Sequence, residues 1–495
     1  MSAPSTPSAS SAPSVTSTDT GHPPAQKRLP TTAILVIACA AQFMVILDVS
    51  IVNVALPSMR DTLHLAPAGM QWIVNAYTLG FAGLLLLGGR AADLVGTKKA
   101  LLTGLGVFTL ASLVCGLASS GGALIAARAV QGVGGAVLAP ATLTLIMTTF
   151  TEPQARTRAM GAWSAVMAAG GATGAVIGGV LTEYAGWRWV FFVNVPIGVA
   201  LIAAALAYVP AAAGIRGGLR RLDIPGAVSV TAGLTALVYG IISTESHAWS
   251  APEVWASLGG AVLLLAAFVL IESKVAHPLV PLAILRRRTL ATSNIVVLLV
   301  GAAMFSMWFL LSLYHQQVLG FSAVQAGLSF LPGSLSVIVG AQLATRLIGR
   351  TGPRPLLVVG MLVSTAGFAW LSFIGAHGSY ATDVLVPLMF CAFGMGLSMM
   401  PATVAATTGT ARAEAGLASG LVNTSRQVGG AIGLAVLATI ASHLTASHLS
   451  SHPHDMAAAL TAGYGRALLV AAAFTACAAV GSLLLPGRKE THPAV

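Results

Sequence analysis

The chain has 495 residues, of which 56% are hydrophobic and only 8% are charged, and its mean hydropathy is +0.86. A soluble domain has about 25% charged residues, so this composition excludes a soluble globular protein and indicates a polytopic membrane protein. The formal net charge of +11 does not indicate nucleic-acid binding, because the basic residues are scattered in short loops between apolar segments.

Residues 1–30 are rich in Ser, Pro, Thr and Ala, and they predict a disordered tail. Fourteen mostly apolar segments follow, each near the length of about 20 residues that a helix needs to cross a bilayer. They lie near 32–56, 70–89, 100–119, 122–148, 158–182, 189–209, 223–243, 255–273, 291–313, 324–347, 355–374, 382–405, 416–441 and 464–485. The sequence therefore predicts an all-α membrane protein with fourteen transmembrane helices.

The basic residues predict the orientation. Of the 25 Lys and Arg residues, 20 fall in the two tails and in the loops on the same side as the tails. Arg60, Arg188 and Arg466 fall on the other side, and Arg128 and Arg426 fall inside apolar segments. Because loops rich in Lys and Arg stay in the cytoplasm, we expect a plasma-membrane protein with both termini cytoplasmic.

The chain repeats itself weakly at an offset near 260. Pro140-Ala141-Thr142 recurs as Pro401-Ala402-Thr403, and the spacing of Gly161, Gly170 and Gly174 recurs at Gly420, Gly429 and Gly433. Parallel repeats of six helices are typical of a large class of secondary transporters, with the substrate path between the halves. We therefore predict a six-helix bundle at 31–210, two linker helices at 211–288, a second bundle at 289–486 and a cytoplasmic tail at 487–495.

Three charged residues, one acidic and two basic, are interpreted as lying within the membrane. Asp48 is deep in the first apolar segment, where a carboxylate needs a partner, water or a proton, so it is either a proton-responsive group or a carboxylate with a structural partner. Arg128, in the fourth segment, stays charged when buried. It either acts on a nearby carboxylate or binds an anionic group, or it is a structural cation whose charge is satisfied by backbone carbonyls. Arg426 is a second such cation, or a side chain that snorkels from near a helix start.

The loop after the second segment contains Gly89, Arg90, Asp93, Gly96 and Lys98. Its glycines permit a tight turn, and its carboxylate can face a helix N-terminus or an arginine. The loop is basic and contains one acidic residue, Asp93. It either is an ordinary basic loop or takes part in gating.

The fifth apolar segment is unusually rich in glycine. Its glycines are Gly161, Gly170, Gly171, Gly174, Gly178 and Gly179. Gly170, Gly174 and Gly178 recur every fourth residue and so share one helix face, and small residues on such a face let membrane helices approach closely. The pattern predicts a helix built for contact, bending or sliding.

Several polar and aromatic residues are candidates for the substrate path. They are Asn53, Asn75, Tyr77, Gln131, Trp163, Trp308, His315, Gln316, Asn423 and Arg426. The alternatives are interface anchors for the aromatic residues and an interfacial polar cluster for His315 and Gln316. His443, His448, His452 and His454 lie in the last predicted loop on the side opposite the tails, but their loose spacing does not favour a metal site, so we expect no bound metal.

Several stretches together resemble the major facilitator superfamily, and most closely its fourteen-helix drug:proton antiporter family. They are the segment Leu47–Pro57, the loop 89–99, the stretch 128–136 with its Arg-x-x-Gln-Gly pattern, and the glycine-rich segment. The resemblance implies that Asp48 and Arg128 serve proton coupling, that Asp93 and its neighbours form a cytoplasmic gate held against a helix end and basic partners, and that the glycine face shapes the surface on which the halves rock. One departure is Ala175, where the family usually has proline after Gly174.

The resemblance implies proton-coupled efflux of small lipophilic compounds, such as drugs or antibiotics, by alternating access. It implies no cofactor besides the proton gradient, contact with membrane lipids, no nucleic acid and a monomeric chain. A proton-coupled transporter of an endogenous metabolite is the alternative. A membrane-embedded enzyme is disfavoured, because we find no cluster of nucleophile, base or metal ligands at one depth.

Overall fold

The computed structural model describes residues 31–211, 222–408 and 414–485. The two predicted tails and several predicted cytoplasmic basic residues, among them Arg216, Arg220, Arg221 and Arg412, lie outside the described residues. Within the described ranges the chain is helical and contains no strand.

Fourteen helices in the described ranges are long and apolar enough to cross a membrane, which confirms the predicted fold class. In chain order, spans 1 to 14 are Thr31–Leu63, Pro67–Val95, Thr97–Leu117, Gly121–Thr149, Pro153–Tyr184, Trp189–Tyr208, Ile224–Ser243, Pro252–Lys274, Arg288–Gln317, Ala323–Thr351, Pro353–Leu371, Tyr380–Thr407, Gly416–Ser451 and Met456–Ser482. A short helix, Leu282–Leu285, precedes span 9.

Local sequence determines where several spans begin. The side chains of Ser120, Asp223 and Asp455 accept hydrogen bonds from backbone amides of the first turns of spans 4, 7 and 14. Such caps satisfy amides that have no partner inside the helix. Proline occupies the first turn of several other spans, where its missing N–H is not needed.

Span 13 is longer than the predicted segment, which ended near residue 441. It continues to Ser451, one residue before His452-Pro453, and proline disfavours the helical conformation in the residue before it. His443 and His448 therefore lie on the helix rather than in the predicted loop. The described residues contain no group of three or more His, Cys, Asp or Glu that could hold a metal ion.

The first six and the last six spans pack in the same pattern. Span 1 packs on span 5, span 2 on span 4, span 3 on span 4 and span 3 on span 6; the matching pairs eight spans later also pack, namely 9 on 13, 10 on 12, 11 on 12 and 11 on 14. Two contacts between the halves are equivalent in the same way, span 2 with span 13 and span 5 with span 10. Span 7 packs on span 8 and also on spans 2 and 13. The weak repeat in the sequence thus corresponds to repeated packing.

Candidate functional site

An ion pair is buried between spans 1 and 4. The Arg128 Nη1 atom lies 2.5 Å from the Asp48 Oδ2 atom, and both residues are almost wholly buried. The two charges that the sequence analysis treated separately are therefore partners. Removing either one would leave an uncompensated buried charge, which typically destabilises a protein by about 3–5 kcal/mol.

Polar side chains from three spans complete the surroundings of Asp48. Its Oδ1 atom accepts hydrogen bonds from Gln131 Nε2 at 2.7 Å and from Asn194 Nδ2 at 3.1 Å. The Ser112 hydroxyl lies 3.3 Å from Gln131 Nε2 and 3.1 Å from Asn194 Nδ2, and it donates to the Phe191 carbonyl at 2.9 Å. Both carboxylate oxygens of Asp48 are thus hydrogen-bonded in a site closed to solvent.

Arg128 has partners besides the carboxylate. Its Cζ atom lies 4.3 Å from the centre of the Tyr77 ring, its Nε donates to the Ile73 carbonyl at 3.2 Å, and its Nη1 donates to Gln131 Oε1 at 2.8 Å. A guanidinium over an aromatic face is stabilised by the electron density of the ring. Arg128 can therefore keep three contacts if the charge of Asp48 is neutralised.

The predicted gate loop 89–99 is helical on both sides of Gly96, and its basic residues contact other segments. Arg90 Nη1 donates to the carbonyls of His277 and Pro278 at 2.8 Å each, and Lys98 Nζ donates to the Leu206 carbonyl at 2.8 Å. These bonds tie the ends of spans 2 and 3 to the chain that follows span 8 and to the end of span 6.

Glycine and aspartate in this loop differ in role. Gly96 has a φ of 92°, in the region that favours glycine, and it joins spans 2 and 3. A side chain at Gly89 would touch the Pro140 ring at 3.6 Å. Asp93 is exposed in the last turn of span 2 and makes no hydrogen bond or ion pair with the described residues, and its part in a gate stays a prediction. The side-chain hydrogen bonds from this stretch to other segments are therefore made by Arg90 and Lys98.

The glycine face of span 5 lies against span 1. A Cβ atom at Gly174 would come within 2.7 Å of Ser50 Cβ, and one at Gly178 within 2.8 Å of Ile51. Gly170 faces Phe43 and Ile46 in the same way. The Ser50 hydroxyl donates to the Gly171 carbonyl at 2.7 Å. These close approaches allow span 1 and span 5 to pack backbone to backbone.

Three glycines of span 5 do not pack against span 1 through the space that a side chain would occupy. Gly179 faces the Ala323 carbonyl of span 10, and so lies in the contact between the halves. Gly161 has open space where a side chain would be, as does Gly171. The expected glycine face therefore covers only the middle and the end of span 5.

Two substrate-path candidates lie where span 1 meets span 9. The Ser312 hydroxyl donates to the Asn53 carbonyl at 2.8 Å, and Gln316 Nε2 donates to the Val54 carbonyl at 3.0 Å. The Glu183 carboxylate of span 5 accepts a hydrogen bond from the Val324 backbone amide of span 10 at 2.9 Å. Hydrogen bonds thus link the two halves at the ends of spans 1, 5 and 9.

Other candidates carry polar atoms without a partner. Four such atoms are buried and form no hydrogen bond within the described part of the chain. They are the Nδ2 and Oδ1 atoms of Asn75, the Nε1 atom of Trp163 and the Oδ1 atom of Asn53. The Tyr77 hydroxyl is also unpaired. Buried polar groups in proteins are normally hydrogen-bonded, so these atoms are available to water or to a ligand.

His315 lies in an aromatic cluster of the second half. Its ring is fully buried, its Nδ1 lies 2.9 Å from the Ser329 hydroxyl, and its ring centre lies 5.2 Å from that of Phe330 and 5.7 Å from that of Tyr380. Trp308 packs on the same Phe330 ring at 4.8 Å. The structure thus brings two predicted candidates, Trp308 and His315, to the same aromatic ring.

A cavity of about 1050 Å³ lies between the halves at the end of the molecule opposite the described chain ends. Its lining includes Met70, Gln71, Gln316, Ala441 and Tyr464. It is large enough for a drug-sized molecule. Gln316 is the one substrate-path candidate among the lining residues.

The sequence analysis missed Ser112, Gln71 and Glu245. The Gln71 Nε2 donates to Glu245 Oε1 at 2.5 Å, which joins span 2 to the loop between spans 7 and 8. Burial raises the pKa of the Glu245 carboxyl, against the lowering effect of hydrogen bonds from neighbours such as Gln71. An acidic residue in a loop gives no sequence signal of its own, and only the folded structure shows its burial.

Together, fourteen spans, two equivalent halves and a buried ion pair define a secondary transporter. The sequence profile of the Major Facilitator Superfamily matches residues 38–434. The chain belongs to the major facilitator superfamily.

Proteins similar in sequence include an antibiotic export protein and an antibiotic resistance protein. The chain is 43% identical to a cephamycin export protein of Amycolatopsis lactamdurans over 93% of its length and 94% of that protein. It is 42% identical to a puromycin resistance protein of Streptomyces alboniger over 91% of its length and 89% of that protein. The fold is similar to a crystal structure of a bacterial homologue of the human lysosomal transporter Spinster, with a TM-score of 0.64, 14% identity, and coverage of 93% and 97%.

Proposed function

We propose that the chain exports small lipophilic organic compounds, antibiotics among them, from the cell in exchange for protons. The observation that carries the proposal is the buried Asp48–Arg128 pair, a carboxylate that one proton can neutralise inside a transporter fold. Similarity to a cephamycin export protein and to a puromycin resistance protein supports an organic compound as the substrate.

The geometry suggests how a proton drives the exchange. Protonation of Asp48 removes its attraction to Arg128, which keeps the Tyr77 ring and the Ile73 carbonyl as partners. Span 1 is then less tightly held to span 4. A change of a few kcal/mol suffices to shift the populations of two conformations, and breaking a buried ion pair is of that size.

Span 1 can transmit this change to the second half. Ser50, two residues after Asp48, donates a hydrogen bond to span 5. Asn53, five residues after Asp48, accepts a hydrogen bond from span 9 at its backbone carbonyl. Rotation or sliding of span 1 therefore alters its contacts with both neighbours at once. The close glycine packing of spans 1 and 5 permits such sliding.

Further parts of the proposal follow from the family and from the charge pattern. Both termini lie in the cytoplasm, the proton gradient is the energy source, and the chain needs no cofactor or metal. It works as a monomer in contact with membrane lipids, without catalytic activity and without nucleic acid. The halves are residues 31–210 and 289–486, with linker helices between them at 211–288.

Inverted membrane vesicles test the function. Vesicles with the chain should take up the lipophilic dye Hoechst 33342 when their lumen is acidified, and Asp48→Asn should abolish this uptake while the protein stays in the membrane. Asp48→Glu, which keeps an ionisable group, should retain part of it.

Glu253→Gln is the control, because Glu253 is an exposed carboxylate at the start of span 8, and this variant should transport like the wild type. Uptake by Asp48→Asn at the wild-type rate, driven by the pH gradient, would exclude Asp48 as the proton-coupling group.

A further inference from the structure

The interior of the second half contains an arginine that has no acidic partner among the described residues. Arg128 has Asp48, whereas Arg426 forms no ion pair with the described residues. Within the described residues, the Arg426 guanidinium makes one hydrogen bond, from Nη2 to Asn423 Oδ1 at 2.6 Å. A guanidinium carries five N–H donors and stays charged in a protein. Most of the donors of Arg426 are therefore free of partners in the described residues.

Arg426 lies deep in the molecule. Its backbone carbonyl packs directly against Gly301, near the middle of span 9. It is also ten residues into span 13, and about 15 Å of helix therefore separates it from the start of that span. A cation at this depth is costly without a counter-ion, and intramembrane charges mark ligand or ion pathways. The depth argues against the snorkelling alternative.

The side chains beside Arg426 form a polar face. Asn423, Arg426, Gln427 and Gly430 lie three, four and seven residues apart, so they share one side of span 13. Gln427 Oε1 is buried without a partner among the described residues, and the first three side chains are only partly buried. The face therefore borders accessible space.

An apolar ring lies next to this polar face. A Cβ atom at Gly430 would come within 2.7 Å of the Phe305 ring of span 9. Phe305 is seven residues before Ser312, so it shares the side of span 9 that bonds to span 1. Arg426 and Phe305 thus combine a cation with an aromatic surface next to the first half of the molecule.

We propose that Arg426, with the amides of Asn423 and Gln427, binds the carboxylate of the exported compound while Phe305 contacts its apolar part. The proposal rests on the export function proposed above and names one class of its substrates: amphipathic organic acids. A guanidinium binds a carboxylate through two parallel hydrogen bonds, and a bound carboxylate supplies the counter-charge that Arg426 lacks.

A pair of probes that differ in one charge tests this inference. We would measure binding of 1-pyrenebutyrate and of its methyl ester to the purified full-length chain by fluorescence anisotropy. The wild type should prefer the acid, and Arg426→Gln should weaken binding of the acid by about 10- to 100-fold, as for loss of a charge-assisted hydrogen bond, with little effect on the ester. Arg426→Lys should recover part of the loss.

Arg466→Gln is the control, since Arg466 is an exposed arginine on span 14, and it should bind the acid like the wild type. Equal binding of acid and ester by the wild type, or unchanged acid binding by a folded Arg426→Gln, overturns the inference. The wild-type comparison decides it alone if Arg426→Gln does not fold. In proteoliposomes, gradient-driven transport of acid and ester at equal rates would refute only this inference, whereas transport of neither would refute the export function for these probes.

Discussion

At the scale of single residues, the site is organised around a charge pair that the protein does not need for packing. A buried ion pair is seldom more stable than well-packed apolar side chains of similar volume. Here the Asp48 carboxylate also accepts hydrogen bonds from Gln131 and Asn194, and the Ser112 hydroxyl accepts a hydrogen bond from each of those two amides. Such an arrangement is understandable if the charge of Asp48 changes during the transport cycle.

Tyr77 allows a test of how Arg128 is held. Tyr77→Phe keeps the ring beneath the guanidinium and removes a hydroxyl that has no partner in the described residues, so stability and export should stay near the wild-type level. Tyr77→Leu removes the cation–π contact and should lower the free energy of unfolding by about 2 kcal/mol or more.

The apparent melting temperature in detergent, with dye export in vesicles, would measure both variants of Tyr77. If Tyr77→Phe were as damaging as Tyr77→Leu, the hydroxyl rather than the ring would be the partner that matters.

At the scale of elements, span 5 shows how a glycine-rich helix is used. It runs as one helix, Pro153–Tyr184, and the usual family proline is replaced by Ala175. Gly170, Gly174 and Gly178 lie against span 1, and the Ala175 carbonyl faces Gly327 of span 10. The same helix therefore contacts its own half on one face and the other half nearby, which places it well for relative motion of the halves.

Substitutions along span 5 should separate glycines that pack from glycines that do not. Gly174→Ala puts a methyl group 2.7 Å from Ser50 Cβ, so we expect a loss of about 1–3 kcal/mol of stability together with reduced export. Gly171→Ala enters open space and gains helix propensity, so it should be neutral or stabilising.

Thermal unfolding and vesicle transport would compare the two glycine variants. We also expect Gly174→Leu to impair transport more than Ala175→Pro. The reason is that Gly174 forms the close contact with span 1, whereas position 175 has no proline in this chain. Equal effects of the two alanine substitutions, or the reverse order of the second pair, would contradict this account of span 5.

At the scale of the whole molecule, the repeat predicted much of the architecture. Fourteen spans follow from segment length and hydropathy, and glycines at equal spacing predicted equivalent helices: Gly429 and Gly433 face span 9 as Gly170 and Gly174 face span 1. These features are periodic and local, so one sequence suffices to read them.

The arrangement of the site could be predicted only in part. The sequence singles out Asp48 and Arg128, because charges in apolar segments are conspicuous, but it does not show that residues 80 positions apart form one ion pair. Ser112 gave no signal, since a serine in a membrane helix is ordinary. The exposed position of Asp93 and the bonds from Arg90 to backbone carbonyls also depend on how distant segments pack.

The central claim is that export of an organic compound and entry of protons are one coupled process that passes through Asp48. The most direct measurement is proton flux in proteoliposomes without a pH gradient, started by an imposed gradient of the transported compound and followed with an enclosed pH dye. We predict that wild-type protein moves protons against the flow of the compound and that Asp48→Asn moves none. Compound flux without proton flux in the wild type, or equal proton flux in Asp48→Asn, would contradict the account.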